Sequence, residues 1–90
     1  MSKVTKKTVR SALKEAKTVD DCKAILREIN SQIGENNKVI ARNQRIANSL
    51  GEEDKVYRNE LDQSTQVKEN WNMGLEKVKD EVYDVWDKVM

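Results

Sequence analysis

Ninety residues allow one small domain, and a hydrophobic share of 37%, matched by a charged share of 37%, is too polar for a thick globular core. With no Pro, no Phe and three Gly, nothing in the chain forces a helix to stop, and the composition suits thin packing in which each helix buries one stripe. The absence of His and the single cysteine, Cys22, exclude an internal disulfide framework and argue against a zinc site.

The net charge is +1, but the charges are segregated. Residues 1–51 carry eleven Lys/Arg against five Asp/Glu, and residues 52–90 carry six against eleven. Either the two halves pair with each other, or the basic end meets an acidic partner. The basic N-terminus has no continuous apolar stretch of a signal peptide, and no apolar run approaches the length of a membrane span. One thiol fits a reducing compartment, so a cytoplasmic location is expected. Eight Asn and twelve Lys lean toward an AT-rich genome and a small phage or bacterial accessory protein.

In chain order, residues 5–17 read as a short amphipathic helix. Val9, Ala12, Leu13 and Ala16 share one face, and Lys3, Lys6, Lys7, Arg10, Lys14 and Lys17 surround it. A helix this short is marginal alone in water and needs something to pack on. Thr18 then opens a second helix, with Asp21 placed as the acid of a capping box and Asp20 and Asp21 suited to the positive helix end.

From Val19 the apolar spacing alternates between three and four residues. In heptad terms Val19, Leu26, Ile33, Ile40 and Ala47 occupy position a, and Cys22, Ile29, Asn36, Asn43 and Leu50 occupy d. The stripe stays in phase across Gly34, so one continuous helix over residues 19–50 is expected. Gly51 is placed as a C′ glycine, and Glu52, Glu53 and Asp54 suit the next helix start. A third stripe runs through Tyr57, Leu61, Ser64, Lys68, Trp71, Leu75, Val78, Val82, Val85 and Val89, which predicts a helix over 53–89.

The fold class expected is therefore all-α: a single domain, 1–90, with a short N-terminal helix and a long antiparallel helical hairpin in coiled-coil packing. Counting out from a turn near Glu52, Asn43 falls level with residues 62–64 and Asn36 with Lys68. A polar core layer of Asn36, Asn43, Ser64 and Lys68 would set the register and avoid opposing Asn to Ile.

The second helix adds Ile25, Val39 and Ile46 at g, making its apolar face wide enough for two neighbours. The first helix can cover about 20 Å of a helix about 48 Å long. The remaining flank predicts an oligomeric bundle, with a homodimer favoured, or a protein partner docked at Ile25, Val39 and Ile46.

The residues that commonly carry catalysis are missing. There is no His, no nucleophile beside a base and no Gly-rich phosphate loop, so no enzymatic role and no cofactor are expected. Cys22 at d reads as a small hydrophobe. Lys3, Lys6, Lys7, Arg10, Lys14 and Lys17 are candidate contacts for an acidic partner or nucleic acid. Without aromatics to stack bases, any such nucleic-acid binding would be non-specific. Trp71 fills the seam, and Trp86, in the C-terminal Val-Trp-Val-Met cluster, either closes the core or forms a hot spot for another protein. The leading expectation is a non-catalytic interaction protein, an adaptor, chaperone-like factor or inhibitor. The alternative is a small nucleic-acid-binding regulator acting through the basic helix.

Overall fold

The computed structural model describes residues 3–90, and every regular element among them is helical. The elements are α1 (Lys6–Glu15), α2 (Val19–Ser49), a single 3-10 turn (Glu52–Asp54) and α3 (Lys55–Val89). Gly34 lies inside α2 and Gly74 inside α3 without a break.

Local chemistry explains the helix starts. Thr5 and Thr8 form a reciprocal capping box, the Thr8 hydroxyl accepting the Thr5 N–H at 2.8 Å and the Thr5 hydroxyl accepting the Thr8 N–H at 3.3 Å. The box ahead of α2 is charged. Asp21 Oδ2 accepts the N–H groups of Lys17 at 2.9 Å and Thr18 at 3.2 Å, while the Thr18 hydroxyl accepts the Asp21 N–H at 3.1 Å. These backbone donors, Lys17 first and then Thr18, hold the Asp21 carboxyl below its ordinary value. Because Thr5 is itself a cap and α1 ends at Glu15, the first helix is shorter than the expected 5–17.

The turn between the long helices differs from expectation. Gly51 adopts φ −81° and ψ 176°, extended backbone open to any residue, and not the left-handed form of a C′ glycine. Leu50 stops α2 by turning extended, and Arg58 Nη2 donates to its carbonyl at 2.7 Å. A side chain from α3 thus satisfies a carbonyl that a left-handed glycine commonly covers through the backbone.

α2 and α3 run antiparallel, as the pairing of Leu50 with Arg58, Asn43 with Thr65 and Asn36 with Asn72 shows. α1 lies along one side of both, in the groove between them. The molecule measures 56 × 22 × 16 Å, and its radius of gyration of 16.6 Å exceeds the roughly 12 Å of a compact domain of this length.

The core sits at one end. Val9, Cys22, Ile25, Ile29, Leu75, Val78 and Val82 are buried together where α1 covers the long pair. Beyond the start of α1 the apolar residues Val39, Ile40, Ile46, Ala47, Leu50 and Leu61 are only half-buried. Tyr57, expected in the inner stripe, is 47% exposed. The base is a three-helix core, and the tip is two helices deep.

Candidate interaction surface

Three features meet where α1 begins. The first is a chain of amides across the seam. Val4 N–H donates to Gln32 Oε1 at 3.2 Å, Gln32 Nε2 to Asn36 Oδ1 at 3.0 Å, Asn36 Nδ2 to Asn72 Oδ1 at 2.9 Å, and Asn72 Nδ2 to Asn37 Oδ1 at 3.0 Å. Asn36 is 1% exposed, so these bonds are what make its burial tolerable.

The expected polar layer is present on the α2 side but has different partners on α3. Asn43 meets Thr65, its Nδ2 donating to the hydroxyl at 3.3 Å, and Asn36 meets Asn72. The 3-10 turn places the centre of the connection near Asp54, which moves the level partners along α3. Ser64 is half-buried beside Thr65. Lys68 instead places its ammonium 4.7 Å from the centroid of the Trp71 ring. Thr65 and Asn72 are missed by heptad reading because they stand at e, one step off the a/d stripe.

The second feature is Trp71, half-buried. Its indole N–H donates to the Val4 carbonyl at 2.7 Å, and Lys3 places its ammonium 6.0 Å from the ring centroid. Val4 is therefore held on both its N–H and its carbonyl, by α2 and by α3. A groove of about 590 Å³ opens here, with Val39, Lys68 and Trp71 among its walls and Gln32 and Asn36 at its floor.

The third feature is the uncovered flank. Ile25, expected on the spare seam, is buried under α1 beside Val9. Val39 and Ile46 lie further along the same face of α2, beyond the reach of α1, and stay half-buried. Across from them on α3, Val67 is 62% exposed, and Val56 near the tip is 75% exposed. Helical spacing puts Val56, Glu60, Val67 and Trp71 on one flank of α3.

Of the basic residues, Arg10 pairs with Glu81, its Nε donating to both carboxylate oxygens at 3.2 Å. Lys6 lays its stem along Gly74, where a Cβ would stand 3.8 Å from Lys6 Cδ. Lys7, Lys14 and Lys17 are exposed. Trp86 is half-buried against the core and stacks on Tyr83 with ring centroids 6.3 Å apart. Cys22 is fully buried, and burial followed by the nearby Asp21 charge pushes its thiol pKa up.

Among the described residues no group of three or more Cys, Asp or Glu is placed to hold a metal ion, and no helix is long and apolar enough to cross a membrane. No protein-family model, curated protein or solved structure matches the chain.

Proposed function

We propose that this protein is a non-catalytic interaction module, a single folding unit whose long pair is a coiled-coil hairpin that works through its half-covered tip. One observation carries the reading: the apolar face of α2 continues through Val39 and Ile46 beyond the start of α1, where both stay half-buried with no third helix of the described chain over them. A seam built this way is completed by another helix, and the protein acts as an oligomeric adaptor, chaperone-like factor or inhibitor by occupying a partner. The buried, free Cys22 suits a reducing cytoplasm.

The charge arrangement at the base favours docking of α1 over its release to an anionic partner. Arg10 is engaged by Glu81, and Val4 is bound from both sides. Affinity capture from the native source tests the reading, comparing wild type with a Val39→Glu/Ile46→Glu variant, with and without nuclease. Protein retained by wild type, lost with the variant and indifferent to nuclease supports it. Retention that disappears with nuclease and with added salt, and survives the variant, would replace it with the nucleic-acid reading.

A further inference from the structure

The structure assigns the uncovered tip flank to a second copy of the same chain, packed antiparallel about a two-fold axis near Asn43; the assignment rests on the interaction reading above and names its partner. α1 fills the groove between α2 and α3 only as far as Val4, level with Gln32 and Trp71. From Gln32 to Leu50 the open groove is about 27 Å long. A second tip of the same length fills it, ending where α1 begins.

The connection at the tip is acidic throughout, Glu52, Glu53 and Asp54, and all three side chains are exposed. The start of α1 is basic, with Lys3, Lys6 and Lys7, and its first turn contains no acid. α1 points its N-terminus, the positive end of its dipole, toward the tip. In the antiparallel dimer the acidic connection of one copy abuts the basic start of α1 in the other, and the contact occurs twice.

Setting Val39 against Ile46 of the second copy aligns the exposed flank of α3 as well. With Asn43 level with Thr65, Glu60 then falls level with Trp71 at the groove of the other copy, one turn from its Lys68, and the exposed Val67 falls level with its Ser64. Glu28 and Glu35 line the α2 rim of that groove, so the acidic connection approaches on the side of Lys3 and Lys68. The result is a four-helix tip flanked by two three-helix bases.

Sedimentation equilibrium of the purified full-length protein tests the assignment, from about 1 to 200 μM. Wild type is expected at twice the 10.4 kDa chain mass. Val39→Glu/Ile46→Glu should raise the dimer dissociation constant about 100-fold or more while helicity by circular dichroism is kept. Val67→Glu, at a side chain already 62% exposed, should weaken the dimer in the same direction without burdening the monomer fold. Lys3→Glu/Lys6→Glu/Lys7→Glu should weaken it about 10-fold, although acids there favour α1 itself, and adding Glu52→Lys/Glu53→Lys/Asp54→Lys should restore it. A wild-type monomer at every concentration overturns the assignment, as does a dimer indifferent to Val67→Glu or a charge reversal without rescue. A wild-type monomer leaves the interaction reading standing for a foreign helix, and the capture experiment decides that separately.

Discussion

Asn36 is 1% exposed, yet its amide is shared between Gln32 on its own helix and Asn72 on the next. A buried amide is costly to orphan, so the neighbours of Asn36 matter as much as Asn36 itself. Asn36→Ala strands both of them and should lower stability by roughly 1–3 kcal/mol in urea unfolding. Asn36→Leu/Asn72→Leu removes the central pair together and should lie closer to wild type. Asp21 makes a charge-dependent contribution. Its folded-state carboxyl is held below the ordinary 3.8, so its stabilisation is present above that value and is lost as pH falls through the lowered one. Asp21→Asn should melt earlier than wild type at neutral pH, and the difference in Tm should narrow as pH is lowered below 3.8.

At the scale of elements, α2 carries a correctable weakness and α1 depends on others for its place. Gly34 sits exposed inside α2, and a Cβ added to it would find nothing within 4 Å, so Gly34→Ala meets no obstacle. It should stabilise the protein by up to about 1 kcal/mol, raising Tm by roughly 4–8 °C in a thermal scan. α1 has ten residues and is held by Val9 in the core, by Arg10 on Glu81 and by the two backbone bonds at Val4. Trp71→Phe keeps the aromatic bulk but removes the donor to the Val4 carbonyl. It should cost roughly 0.5–1.5 kcal/mol and speed hydrogen exchange across α1 before it affects α2.

For the whole molecule, the division into base and tip predicts unequal local stability. Fully buried Ile29, Leu75, Val78 and Val82 anchor the base, whereas the tip closes over half-buried side chains and the Asn43–Thr65 bond. Amides near 39–50 and 58–67 should exchange faster than those near 22–29 and 75–82, measured on dilute protein. If a second copy completes the tip, the gap narrows as concentration rises.

How much of the fold is legible in the sequence differs from residue to residue. The spacing from Val19 to Leu50, the Thr18 and Asp21 cap and the continuity through Gly34 are local properties of a helical chain, and they place three helices close to where they lie. Cys22 in the core follows from the same periodicity. The partners of Asn36 and Asn43 are not legible, because a three-residue 3-10 turn displaces the level positions along α3 and brings Asn72 and Thr65 inward from e. Nor are the exposure of Tyr57, the Arg58 cover on Leu50 or the clamp on Val4, each of which depends on how separate elements meet. Periodicity specifies which face of a helix is apolar, since that depends on about 3.6 residues per turn alone. Which neighbour covers that face, and how far α1 reaches along it before Val39 and Ile46 are left open, depends on packing between helices and is decided only in three dimensions.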